Sequence, residues 1–141
     1  MEISSVNSRI ISANSENTLF FVLKSLDTSH HVAFSYQSHA NNRIGLQFAP
    51  ASPLTPRFDF GDADGGNPPG RLDGSETIGD FPVIITLEQK RGTQSLFVNG
   101  SLDSSQSSSA TLADFTGDVT LGKHSGGGFQ SEIDVAEVII I

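Results

Sequence analysis

Short runs rich in Val, Ile, Leu, Phe and Thr recur along almost the whole chain, each cut off by Gly, Pro, Asn, Asp or Ser, and a helical apolar period is hard to find anywhere. A chain written this way must hide its apolar side chains on the faces of pleated sheets, and the economical solution is two sheets packed face to face. The runs read as strands are Arg9 to Ser12, Thr18 to Leu26, His30 to Ser38, Arg43 to Phe48, Arg57 to Phe60, Val83 to Gln89, Gln94 to Val98, Asp118 to Gly122 and Ile133 to Ile141. Val32, Phe34 and Tyr36 alternate with His31, Ala33 and Ser35, and Ile44, Leu46 and Phe48 repeat the pattern, as strands with one buried face do. Leu19 to Leu23 and Val138 to Ile141 are apolar at every position, which predicts strands central to the packing or covered on both sides.

Turn chemistry sharpens this. Asn99-Gly100, between Ser95-Leu-Phe-Val and Ser-Leu102, suits the two positive-φ positions of a type I′ hairpin, and Arg91-Gly92 marks a second turn. Val83 to Gln89, Gln94 to Val98 and the segment after Gly100 therefore read as a meander. Ala49 to Pro56 and Gly61 to Gly79, crowded with Pro, Gly and Asp, read as long loops, and the Ser-rich Asp103 to Ser109 as a mobile connection.

The 141 residues fit one domain, with ten Phe to fill its core and no Cys to staple it. The formal charge of -8 repels phosphate backbones, and no basic stripe interrupts it, so nucleic acid and anionic lipid surfaces are argued against as partners. Met1 to Ala13 holds no apolar run of signal-peptide length, and no stretch is long and apolar enough for a membrane span.

Ile85 to Gly100, with its Arg-Gly turn followed by Ser-Leu-Phe-Val-Asn-Gly, resembles a stretch typical of the concanavalin A-like jelly-roll superfamily, in particular its laminin-G-like branch. Val119-Thr-Leu-Gly-Lys, then Gly126-Gly-Gly-Phe129, then Val135-Ala-Glu-Val-Ile-Ile is similar to the closing pattern of the same branch. The resemblance runs from about Thr18 to Ile141. It implies an all-β, two-sheet antiparallel β-sandwich, with 1-141 a single jelly-roll domain that serves as a module of a larger surface or virion protein. These motifs are turns and core pattern, so they speak to fold and leave activity to the site.

Three sets of residues are candidates for chemistry. Glu132-Ile-Asp-Val-Ala-Glu137 resembles the Glu-x-Asp-x-x-Glu signature of family 16 glycoside hydrolases, by which Glu132 would be nucleophile, Glu137 acid/base and Asp134 the group that tunes them. In a regular strand Glu137 faces away from Glu132 and Asp134, so catalysis requires a β-bulge, and the chain has no Trp to stack on a sugar. Asp59, Asp62 and Asp64, in a Gly-rich stretch, offer the hard oxygen ligands that Ca²⁺ prefers, although their spacing fits no EF-hand. A ligand platform would draw on Tyr36, Phe58, Phe60 and above all Phe129, with Asn67, Arg71 and His124 as polar partners. His30, His31, His39 and His124 show no zinc-like spacing.

The expectation is a non-catalytic recognition or assembly module, glycan- or protein-binding, of extracellular, cell-surface or virion type, able to enter a homo-oligomer or larger assembly. The alternatives are a virion structural or decoration protein with no ligand of its own, and a family 16-like hydrolase fragment using Glu132 and Glu137.

Overall fold

The computed structural model describes residues 2–3, 16–26, 29, 31–39, 42–49, 54–61, 70–110, 112, 118–123 and 130–141. In chain order the strands are β1 (Glu2–Ile3), β2 (Asn17–Ser25), β3 (His31–His39), β4 (Asn42–Ala49), β5 (Thr55–Gly61), β6 (Arg71–Asp73), β7 (Val83–Lys90), β8 (Thr93–Val98), β9 (Ser101–Ser107), β10 (Asp118–Leu121) and β11 (Ile133–Ile140). They form a six-stranded sheet, β1-β10-β3-β4-β5-β6, and a five-stranded sheet, β11-β2-β7-β8-β9. Every pairing within each is antiparallel. The chain is an all-β two-sheet sandwich, as its alternating pattern predicts, of the jelly-roll class that the resemblance implies.

Alternation places the core between the sheets. Leu19, Phe21 and Leu23 of β2 with Ile85, Leu87, Leu96 and Val98 of β7 and β8 face Phe34, Tyr36, Ile44, Leu46, Phe48, Phe58 and Phe60 of the other sheet, all buried. Rings meet across the gap, with Phe21 and Phe34 centroids 5.3 Å apart. In β3 the register shifts between Val32 and Phe34, and His31 takes the inward place beside Phe48, ring centroids 4.8 Å apart. Val32 therefore does not share a face with Phe34 and Tyr36, a difference from the plain alternation that a bulge accounts for.

Both two-residue hairpins form as their residues demand. Arg91 and Gly92 have φ of 50° and 76°, Asn99 and Gly100 of 51° and 81°. Asn99 also extends the ladder past the turn. Its N–H donates to Ile84 O at 2.8 Å and its Oδ1 accepts from Ile84 N at 3.0 Å.

Three expectations are corrected. Asp103 to Ser109 is no mobile connection: Ser101–Ser107 is strand β9, held by β8 and by side-chain bonds from Ser105 and Gln106. Within Gly61 to Gly79, Arg71–Asp73 is strand β6, an edge of the six-stranded sheet. The Val138 to Ile141 run, expected to be central or covered on both sides, closes an edge strand, β11, with Ile139 42% exposed. The strand expected at Arg9 to Ser12 lies outside the described residues.

Candidate functional site: the outer face of the five-stranded sheet

Register aligns the outward-facing side chains of the five-stranded sheet into rows that cross all its strands. One row reads Ile139, Phe20, Thr86, Phe97, Leu102, each residue directly opposite the next. Phe20, Thr86 and Phe97 are half-buried, Ile139 and Leu102 exposed. The next row reads Ile141, Thr18, Glu88, Ser95, Ser105: Ile141 and Thr18 exchange backbone hydrogen bonds, and the Ser95 and Ser105 hydroxyls lie 3.2 Å apart. On the other side Glu137, Val22 and Ile84 form a mixed row, beyond which Asp134 lies opposite Lys24. An apolar, partly aromatic stripe thus runs beside a stripe of hydroxyls and a carboxylate, the combination that grips a ligand apolar on its ring faces and polar at its edges.

The stripe ends at a cleft. Leu102 and Asn99 share with Ser75, Glu76, Val98, Ser101 and Asp103 an open depression of about 380 Å³. Asp103 is the residue looped out where the β8–β9 register shifts, and its carboxylate accepts from Ser75 N, Ser75 Oγ and Glu76 N at 2.7 to 3.0 Å. This fixes the cleft wall to the sheet edge. A smaller depression of about 250 Å³ lies at the opposite edge, lined by Leu121, Gly122, Ser131, Ile133 and Val135.

The hydrolase-like motif lies on the same outer face. The β11–β2 register shifts between Val135 and Glu137, with Ala136 as the extra residue, so the required β-bulge is present. It turns Glu137 to the side of Asp134 and Glu132, and all three are exposed. A glycosidase acid works in a desolvated cleft with its partner carboxylate across the scissile bond. Neither depression described above is lined by any of the three.

The other predicted residues fall elsewhere. Tyr36, Phe58 and Phe60 are core rings, 0–1% exposed, and build no platform, because each falls on the inward beat of its strand. Asp59, expected among the calcium ligands, is engaged by side chains. Facing away from the core yet fully buried, it accepts from Arg43 Nε at 3.0 Å, Gln47 Nε2 at 2.7 Å, and Arg71 Nε and Nη2 at 2.7 and 2.9 Å. Two guanidiniums supply the charge compensation that a divalent ion would bring. Arg71 thus serves as a counter-ion to Asp59. Asp62, Asp64, Asn67, His124 and Phe129 lie outside the described residues, and among the described residues no cluster of His, Asp or Glu has metal-site geometry.

Sequence reasoning missed Phe20 and Phe97, which it took for core. The signal was there: both lie one place out of step with the buried alternation of Leu19, Phe21, Leu23 and of Leu96, Val98. Phe81, 78% exposed before β7, was also missed.

No protein-family model matches the chain. No curated protein matches it either. Solved structures do. A heptameric SAP-like pentraxin from Limulus polyphemus superposes with a TM-score of 0.67 at 15% identity, over 92% of this chain and 65% of that one. The CBM40 of the Ruminococcus gnavus IT-sialidase, bound to α2,3 sialyllactose, superposes with 0.68 at 14% identity, over 89% of this chain and 74% of that one. Domain 4 of AbnA, a GH43 extracellular arabinanase from Geobacillus stearothermophilus, in complex with arabinotriose, gives 0.62 at 15% identity, over 92% and 61%. The chain spans less than two thirds of the pentraxin and of the arabinanase domain. At these identities the likeness establishes the fold, the jelly-roll sandwich of lectin-like and carbohydrate-binding domains.

Proposed function

We propose that this chain is a non-catalytic glycan-recognition module whose ligand lies on the outer face of the five-stranded sheet. The observation that carries the reading is the stripe Ile139, Phe20, Thr86, Phe97, Leu102 running beside Thr18, Glu88, Ser95 and Ser105. Pyranose rings present apolar C–H faces to aromatic side chains and hydroxyl edges to hydroxyls and carboxylates, so the two stripes complement a sugar without reorganisation. Fold likeness to domains solved with sialyllactose and arabinotriose supports the same class of ligand. The exposure of Glu132, Asp134 and Glu137 favours binding over hydrolysis. The test is a glycan array at high protein concentration followed by calorimetric titration of the hits. Binding weakened by Phe97→Ala is the expected result, and a blank array would remove the reading.

One observation favours a second reading, an assembly module of a cell-surface or virion protein. The exposed large hydrophobics among the described residues, Leu26, Phe81, Ile84, Leu102, Ile139 and Ile141, all belong to the five-stranded sheet or the segments flanking its strands. A patch of this kind also suits a protein surface. Sedimentation separates the readings: self-association abolished by Leu102→Asp, with no glycan bound, supports assembly.

A further inference from the structure

Resting on the glycan reading, the geometry points to a specific class of ligand: we infer that the face takes an extended, uncharged polysaccharide chain lying across the strands, held along its interior rather than by its end. Three observations lead there. The stripe runs perpendicular to the strands and spans all five of them, apolar at every place but Thr86. With neighbouring strands about 4.8 Å apart, the stripe is about 19 Å long, the length of about four hexopyranose units in an extended chain. Phe20 and Phe97 are separated by β7 alone, so their ring positions are about 10 Å apart, the length of two such units.

An extended β-linked chain turns alternate rings to the same side, so rings one and three would stack on Phe97 and Phe20 while the intervening ring sits over Thr86. The hydroxyl edges along one side then meet Thr18, Glu88 and Ser105, the last backed by the buried Ser95 hydroxyl at 3.2 Å. The face also specifies what it refuses. Glu88, Glu137 and Asp134 stand beside the stripe against Lys24 and Lys90, on a chain of net charge -8, so sialylated, uronic or sulfated chains meet like charge. Carboxylates accept hydrogen bonds from neutral sugar hydroxyls without that penalty.

Among the described residues neither end of the stripe is a closed pocket. The Ile139 end lies on the edge strand β11, and the Leu102 end opens into the cleft beside Asn99 and Glu76. A chain can therefore continue past the face in both directions, which a pocket built for a terminal sugar would forbid.

The experiment is calorimetric titration of the intact chain with β-linked gluco- and xylo-oligosaccharides of increasing length, with sialyllactose as the anionic, end-presenting comparison. Affinity is expected to climb until about four units, the span of the stripe, and then level off. Phe20→Ala and Phe97→Ala are each expected to weaken tetramer binding roughly tenfold, as truncation of a stacking anchor does, while circular dichroism stays unchanged. Preferential binding of sialyllactose, or equal affinity for a monosaccharide and the tetramer, would overturn the extended-chain inference and leave the glycan reading standing. Absence of binding to every saccharide on the array would overturn both.

Discussion

Gln106 on β9 donates from Nε2 to Oε1 of Gln94 on β8 at 2.9 Å, and Gln94, fully buried, donates in turn to the carbonyls of Phe58 at 3.0 Å and Gly70 at 3.2 Å. Phe58 belongs to the other sheet. The two amides thus stitch the last strand of one sheet to the edge of the other, and Gln106 adds a bond to Arg71 O at 2.7 Å. Gln94→Leu keeps the volume and loses the donor and acceptor together, so stability should fall by about 2 kcal/mol after the gain in apolar burial is offset. Urea unfolding with an unchanged m-value checks it.

Asn99 holds a positive φ and pairs both its N–H and its side chain with Ile84. Asn99→Ala imposes the left-handed cost on a residue with no compensating side chain and removes the Oδ1 bond, for a loss of about 2 kcal/mol. Asn99→Gly removes only the bond and should cost less. A reversed order of the two melting temperatures would contradict this account of the turn.

Asp59 is shared by Arg43, Gln47 and Arg71, and these bonds are made inside the protein. Asp59→Ala would take the buried carboxylate away from Arg43, Gln47 and Arg71 at once and should destabilise by roughly 3–5 kcal/mol, as loss of one partner of a buried pair does. Thermal unfolding of the purified variant, or its failure to accumulate in soluble form, is the readout.

Burial raises the Tyr36 phenol above its ordinary value of 10.0. The sign follows from proton counting. Above pH 10.0 the unfolded chain releases this proton before the native one does, so the unfolded state gains. Stability that rests on the neutral phenol is fully present below that pH and is lost as pH rises through the raised native value. As the chain has one Tyr and no Trp, phenolate absorbance reports this group alone. Its titration should be displaced upward in the native protein and return to the ordinary value in urea, and an undisplaced native curve would refute the assignment.

Glu132, Asp134 and Glu137 share a face through the bulge at Ala136 but stand in solvent on an edge strand. Wild type, Glu132→Gln and Glu137→Gln should release no measurable reducing ends from β-glucan or galactan. The variants should unfold within about 0.5 kcal/mol of the wild type, as exposed substitutions do. Turnover by the wild type that Glu132→Gln abolishes would restore the hydrolase reading.

Much of the fold was legible in the sequence because strand faces and two-residue turns are local matters. The period of two chose Phe34, Tyr36, Ile44, Leu46 and Phe48 for the interior, and Asn99-Gly100 closed its hairpin as written. Where composition stood in for pattern, the reading failed. Ser101–Ser107 looks too polar for a sheet, yet an edge strand needs little apolar burial when Gln106 and Ser105 bond across to Gln94 and Ser95.

The candidate site belongs to the tertiary structure. Chain order puts Thr86, Phe97 and Leu102 on the consecutive strands β7, β8 and β9, but it does not place Phe20 and Ile139 in line with them, since β2 and β11 come from the two ends of the chain. Likewise it is strand pairing that brings Arg43, Gln47 and Arg71 against the one carboxylate of Asp59. Alternation along one strand tells which residues turn outward, because successive side chains leave opposite faces of the pleat. Which outward residues become neighbours is fixed only by register between strands, a long-range choice made by the packing of the whole sandwich.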